Sequence, residues 1–247
     1  MNEQRVDVSA RRDVIWQDAT VAADYRQARR GLPFADAHFE IADRIIQAHG
    51  LDVRRVLDLG AGDGMALVAM LERHPVEHAV LVDFSEPMLQ EARARLVGVD
   101  ARVDFVLGDL RGSDWRASVG ADGLFDLVIS RFAIHHVPDR RKRSLNGEIF
   151  ELLRPDGLFI HIEHVSSLSP VYERAFYQSI AEGIHRVESG KRSMDEIIAK
   201  YSDTDERAAN ILAPVDMQLE WLRDAGFVDV DCLFKAFEIA VLAGRKP

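Results

Sequence analysis

The chain has 247 residues, 47% of them hydrophobic and 29% charged, which suits one large α/β domain with an elaboration rather than two independent domains. Its formal net charge of −10 repels phosphate backbones and anionic lipid, so neither nucleic acid nor a membrane surface is expected as a partner. Cys232 is the single cysteine, which excludes an internal disulfide, and no apolar run nears the ~20 residues that span a bilayer, so the chain reads as cytoplasmic.

Residues 13–49 read as a helical cap, with Ile41, Ile45 and Ile46 forming an apolar stripe ahead of the first strand. From residue 55, short β-rich runs alternate with helical patterns, the signature of βαβ units and a parallel sheet. Strands are predicted at 55–59, 79–83, 103–107, 125–130 and 158–162. Most are continuous apolar runs, as expected where helices cover both faces. The amphipathic segments between them are 65–74, 86–97 and 140–153. Ser85 is placed to cap the second, with Pro87 tolerated in its first turn. Arg154-Pro155-Asp156-Gly157 breaks the third and turns the chain into the next strand. Residues 166–213 carry helical patterns and no strand, so they are expected as a helical insertion. A helix at 217–225 follows, then strands at 228–234 and 237–243. Only Lys235 and Ala236 separate these two, too few for a parallel crossover, so they should be antiparallel neighbours. The expected fold is a doubly wound α/β sheet, mostly parallel with an antiparallel C-terminal strand, in one domain over 1–247.

Asp58-Leu59-Gly60-Ala61-Gly62-Asp63-Gly64 follows a strand and opens a helix. Glycines there allow a sharp turn and close backbone approach to a ligand, and the amides of the helix start favour an anionic group. A dinucleotide fingerprint would read G-x-G-x-x-G, but Met65 stands where the third glycine belongs, which argues against a nicotinamide dehydrogenase. Asp58 and Asp63 add negative charge, unsuited to a pyrophosphate and suited to a ligand bearing an amino group. The second strand ends in Asp83, able to accept from both hydroxyls of a ribose, and the third in Gly108-Asp109-Leu110. The fourth runs into Arg131-Phe132-Ala133-Ile134-His135-His136. Ligands of open α/β sheets bind outside the carboxyl ends of the strands, so these groups converge on one crevice. Singly, Asp83 and Asp109 read equally well as caps of strand-to-helix turns; their order and spacing together do not.

With these residues in place, the sequence resembles the class I S-adenosylmethionine-dependent methyltransferases from about residue 56 to 246, in the subset acting on small molecules. Residues 56–64 match the first motif of that family, 81–89 the second, 108–110 the third and 125–137 the fourth. Leu152-Leu153-Arg154-Pro155-Asp156-Gly157-Leu158 is similar to its post-helix turn, and the terminal hairpin to its reversed seventh strand. The resemblance implies a Rossmann-like sheet and S-adenosylmethionine as cofactor. It places Gly60, Ala61 and Gly62 under the methionine part, with Asp58 nearby, and Asp83 on the ribose. It packs Phe84 and Met88 on the adenine, with Asp109 accepting from the adenine amino group and Leu110 presenting backbone. Arg131 would line the methionine end or bind a carboxylate of substrate or cofactor.

Methyl transfer is an in-line displacement at a sulfonium carbon, so the protein mainly aligns the acceptor and excludes water. A base helps where the acceptor carries a proton, and His135 and His136 leave the fourth strand at the reaction edge. The alternative is that one packs and the other faces solvent. His161, Glu163 and His164 form a second cluster near them, but strand alternation sends His161 and Glu163 to one face and His164 to the other, so no metal site is expected. Tyr25, His164, Tyr172 and Tyr177 are candidate substrate contacts, with Trp16 closing over the cofactor; packing of the helical segments is the plainer account of these aromatics. The run Arg140-Arg141-Lys142-Arg143 lacks aromatic neighbours and reads as a solvated helix start. The expected function is methyl transfer to a small-molecule acceptor. A non-catalytic module binding the same cofactor is the alternative from another class. The carboxylated-cofactor synthases of tRNA modification, which the layout around 130–165 also resembles, are a third. The oligomeric state, a homodimer included, stays open.

Overall fold

The computed structural model describes residues 11–18, 20, 21, 29–32, 34–119, 123–202 and 205–247. Seven strands form one sheet in the order β3-β2-β1-β4-β5-β7-β6: β1 Arg55–Leu59, β2 His78–Asp83, β3 Arg102–Leu107, β4 Phe125–Arg131, β5 Leu153–His164, β6 Val228–Ala236 and β7 Ile239–Arg245. β1 to β5 pair in parallel, whereas β7 runs antiparallel to both β5 and β6. The helices, in chain order, are α1 Ala35–Ala48, α2 Met65–Leu71, α3 Glu86–Arg95, α4 Trp115–Val119, α5 Asp139–Leu152, α6 Pro170–Val187, α7 Met194–Ser202, α8 Asp205–Ala208 and α9 Val215–Asp224.

Strand alternation sorts neighbouring residues into two cores. Val56, Leu81, Ile129 and Ile160 face Ile46 of α1, Leu67 and Met70 of α2 and Ala92 of α3. Their neighbours Leu57, Val82, Val128 and Phe159 face Trp115 of α4, Leu145 and Ile149 of α5, and Leu219 and Leu222 of α9. Helices therefore cover the sheet on both sides, and the carboxyl ends of β1, β2 and β4 stay clear for a ligand. Ser85 caps α3, its hydroxyl accepting from Met88 N–H, with Pro87 in the first turn. The residues ahead of β1 supply two short 3₁₀ turns, Asp13–Gln17 and Arg29–Gly31, before α1. Those between β5 and β6 supply α6 to α9, and among the described residues no helix is long and apolar enough to cross a membrane.

Two boundaries differ from the sequence-based expectation. Strand β5 begins at once after α5. Arg154, Pro155, Asp156 and Gly157 bulge out of it, because Phe125 pairs with Leu153 and Leu127 already with Leu158. Asp156, at φ +63°, and Gly157 instead exchange backbone hydrogen bonds with Lys246 beyond the end of β7. The hairpin turn lies at Phe237 and Glu238 rather than Lys235 and Ala236. It is Phe237 that adopts the left-handed φ of +52° a tight turn needs, while Lys235 and Ala236 pair with Ala240 and Ile239.

Candidate functional site

One cavity opens at the carboxyl ends of β1, β2 and β4, and its wall includes Asp58, Gly60, Ala61, Gly62, Asp83, Phe84, Met88, Asp109, Leu110 and Arg131. Gly60 and Gly62 have φ of +70° and +54°. A Cβ on Gly60 would stand 2.0 Å from Ala133 Cβ, so only glycine lets the β1–α2 turn pass the β4 turn this closely. Asp83 is gripped by backbone: Gly62 N–H donates to one carboxylate oxygen and Ser85 N–H to the other, each at 2.8 Å. Burial pushes its carboxyl up to about 6, against these amides and that of Phe84.

Asp58 is the odd group. It is 1% exposed, and neither carboxylate oxygen has a hydrogen-bond partner among the described residues. Burial first, then the charge of Asp83, pushes it up to about 8, with Arg131 opposing. A buried carboxylate without a partner is costly, and one that lines a cavity calls for a cation from outside. The ammonium of S-adenosylmethionine is such a cation. Asp63, in contrast, is not available for a ligand, contrary to the sequence-based expectation. Arg29 grips both its oxygens and Arg95 adds a bond at 2.6 Å, so despite burial its carboxyl is held below the ordinary range. Asp63 ties the N-terminal segment to the glycine loop.

Phe84 and Asp109 meet Arg11. Its guanidinium lies 5.0 Å from the Phe84 ring centre and forms an ion pair with Asp109. Arg11 also binds Asp13, Asp13 binds Arg111, and Arg111 donates to the carbonyl of His136 at 2.8 Å. The hydroxyl of Ser85 donates to the carbonyl of Trp16, whose ring lies 5.7 Å from that of His136. Arg11, Asp13 and Arg111 had no part in the reading of the sequence, since no spacing relates them to the site.

His135 and His136 occupy a 3₁₀ turn, Ile134–His136, with ring centres 4.0 Å apart. His135 Nδ1 donates to Glu163 Oε1 at 2.5 Å, and His161 Nε2 to Oε2 at 2.8 Å. Burial opposes ionisation of Glu163, but the two histidines outweigh it and hold the carboxyl well below its ordinary value. Burial pulls His135 down, with Glu163 opposing, and pulls His136 well down, reinforced by His135. His136 Nδ1 donates to the carbonyl of Ala209 at 3.2 Å. Each imidazole therefore carries its proton on Nδ1 and presents Nε2 as an acceptor. Both histidines line the cavity, as do His164, Phe176 and Tyr177. Burial pushes the Tyr177 phenol up to about 12. Tyr172 is 63% exposed and the structure does not bring it to the cavity; Tyr25 lies outside the described residues. Among the described residues, no three His, Cys, Asp or Glu side chains are arranged to hold a metal ion.

Comparison with known proteins places this geometry. Residues 56–157 match the family model described as a methyltransferase domain. A carboxy-S-adenosyl-L-methionine synthase of Wolinella succinogenes is 26% identical over 77% of this chain and 75% of its own length. A demethylmenaquinone methyltransferase of Clavibacter sepedonicus is 29% identical over 72% of this chain, which spans 66% of that protein. Among solved structures, an O-methyltransferase family protein from Burkholderia thailandensis superposes with a TM-score of 0.61 at 19% identity; it matches 96% of this chain, which spans 63% of that one. The matched domain, the strand order with its reversed β7, and a glycine cradle with a carboxylate beneath it that is unpartnered among the described residues agree: residues 56–157 are a methyltransferase domain, in a fold similar to that of the class I S-adenosylmethionine-dependent methyltransferases.

Proposed function

We propose that the chain methylates a small-molecule acceptor at an oxygen, nitrogen, sulfur or carbon nucleophile, whose proton is taken by His135. The observation that carries this reading is the His135–Glu163 pair at 2.5 Å, set in the wall of the same cavity as the glycine cradle. When bound, S-adenosylmethionine supplies an electrophilic methyl carbon on a sulfonium, and transfer is an in-line displacement. Asp58 holds the ammonium, Asp83 the ribose, Phe84 and Met88 the adenine face, and Asp109 and Leu110 its edge, with Arg131 at the methionine end. Glu163 fixes the proton of His135 on Nδ1, so Nε2 receives the acceptor's proton as the new bond forms. His136 presents a second neutral imidazole beside it.

A small acceptor fits better than nucleic acid because three of the four basic residues in the run on α5 are engaged within the protein. Arg141 binds Glu148 and the carbonyls of Leu110 and Gly112, Lys142 binds Asp139 and the carbonyl of Ile211, and Arg143 binds Asp224. Formation of S-adenosylhomocysteine with a panel of acceptors, followed by mass spectrometry, tests the reading. His135→Gln should lower kcat by about 10²–10⁴-fold with S-adenosylhomocysteine affinity kept. Tight cofactor binding without turnover of any acceptor would instead mark a non-catalytic module. A second reading is favoured by the Wolinella relative: a carboxylated donor held at Arg131 or Arg207, both in the cavity wall, would release its carboxyl as carbon dioxide to the cofactor's methyl carbon, which loses a proton as the carbon–carbon bond forms, while the donor's carbon takes up a proton in place of the carboxyl. The mass of the recovered nucleoside separates the two.

A further inference from the structure

The His135–Glu163 pair has a counterpart in the same cavity. His164, the last residue of β5, bonds through Nε2 to Glu238 Oε2 at 2.9 Å. Glu238 sits in the hairpin turn between β6 and β7 and is 1% exposed. Its main chain is pinned as well, its carbonyl accepting from Val165 N–H at 2.7 Å. Burial works against its charge, but hydrogen bonds from His164 and Ser167 hold the carboxyl below the ordinary range. The His164 ring meets that of His135 edge to face, 5.7 Å between centres, and leans on Phe176 at 5.3 Å.

A buried carboxylate is costly unless its partners compensate. Anchoring the start of the insertion to the hairpin needs only the bonds to Val165 and Ser167. The histidine adds something else: with Nε2 committed to Glu238, Nδ1 is its remaining nitrogen, and the residue lines the cavity. The wall around it is aromatic on the side of Phe176 and Tyr177.

We propose that His164, positioned by Glu238, binds a second hydroxyl of the acceptor, so that the acceptor is a dihydroxylated aromatic compound with one hydroxyl at His135 and the other at His164. The proposal rests on the reading of His135 as the base. A hydroxyl suits the site because it both donates and accepts, and so satisfies Nδ1 in either protonation state of His164. A carboxylate there would face Glu163 and Glu238 behind the two imidazoles. The flat aromatic walls favour a flat ring between them.

Calorimetry on the S-adenosylhomocysteine-loaded protein tests this without turnover. The probes are hydroquinone, resorcinol and catechol, each against its mono-O-methyl ether. At least one diol should bind about tenfold more tightly than its ether, the worth of one hydrogen bond to a charge-backed partner. His164→Phe, which keeps a ring against Phe176, should abolish that preference with S-adenosylhomocysteine affinity unchanged. Glu238→Gln, nearly isosteric, should reduce it and serves alone where the first variant does not fold. No binding of any diol, no preference over the ethers, or a preference that survives these substitutions overturns the proposal. Persistence of turnover in His135→Gln would sink the base reading instead, and the two failures are therefore separable.

Discussion

Replacing Asp58 by Asn should make the cofactor-free protein more stable and a poorer binder. The Asp58 carboxyl rises from 3.8 to about 8 in the fold. A carboxyl whose folded value is raised contributes nothing adverse below pH 4, and destabilises increasingly as pH climbs toward 8. At 1.36 kcal/mol per pH step, its burial costs the empty fold on the order of 4 kcal/mol at pH 7. Asn leaves a neutral buried amide unpaired, which costs about 1–3 kcal/mol. The variant should therefore gain roughly 1–3 kcal/mol at pH 7, more at pH 8, and lose the advantage near pH 5. Loss of a desolvated partner for the cofactor ammonium should weaken S-adenosylhomocysteine by about 2 kcal/mol or more, at least ~30-fold. Urea denaturation of both proteins from pH 5 to 8.5, with and without S-adenosylhomocysteine, measures all of this. A variant no more stable than the parent at pH 8, or one that binds equally well, would refute the assignment of Asp58 as the cofactor's counter-charge.

Other substitutions probe the remaining parts. Gly60→Ala and Gly50→Ala both put a side chain at positive φ, a cost of about 1–2 kcal/mol, but only the first meets Ala133. Gly60→Ala should be worse by about 1–3 kcal/mol in denaturation and should weaken S-adenosylhomocysteine, whereas Gly50→Ala should leave binding alone. Because burial pulls His135 down, turnover should hold its plateau through neutral pH and fall only below about 6.5, the ordinary imidazole value. Glu163→Gln removes the charge that opposes the fall, so the acid limb should move to lower pH while kcat drops by about 10²–10⁴-fold; an unshifted limb would show that Glu163 does not act through His135. His38 is fully buried without a hydrogen-bond partner among the described residues, and burial lowers it to about 4. That lowered base loses stability for the protein as pH falls from 6.5 to 4, so His38→Leu should raise the denaturation midpoint by an amount that grows as pH falls toward 4.

What the sequence discloses and what it hides divides along contact range. Val56 and Leu57, or Val128 and Ile129, sit next to each other and face opposite cores, so a continuous apolar run suffices to announce a two-sided strand. Asp58 and Asp83 follow such runs directly and inherit their place at the sheet edge. The turn at 237–238 is not marked in the sequence, because Lys235-Ala236 and Phe237-Glu238 are equally poor in turn-forming residues. The contacts that shape the cavity bridge long stretches of chain: 98 residues from Arg11 to Asp109, 34 from Arg29 to Asp63 and 74 from His164 to Glu238. Neither helical nor strand periodicity carries any trace of such pairs.

Those long-range contacts also converge on one short element. The turn 134–136 is a single 3₁₀ turn held by two backbone bonds of its own, His136 N–H to Ala133 and Val137 N–H to Ile134, yet proton transfer requires its imidazoles to be held within a fraction of an ångström. It is gripped from three sides. Arg111 holds the His136 carbonyl, Ile211 N–H donates to the His135 carbonyl at 2.7 Å, and Glu163 takes the His135 side chain. The first grip leads through Asp13 to Arg11 and the ion pair with Asp109, and the second to the segment between β5 and β6. In the proposed reading, adenine at Phe84 and Asp109 meets one end of the ionic chain whose other end holds the His136 carbonyl. Arg11, Asp13 and Arg111 thus join the wall at Phe84 and Asp109 to the turn that carries His135 and His136.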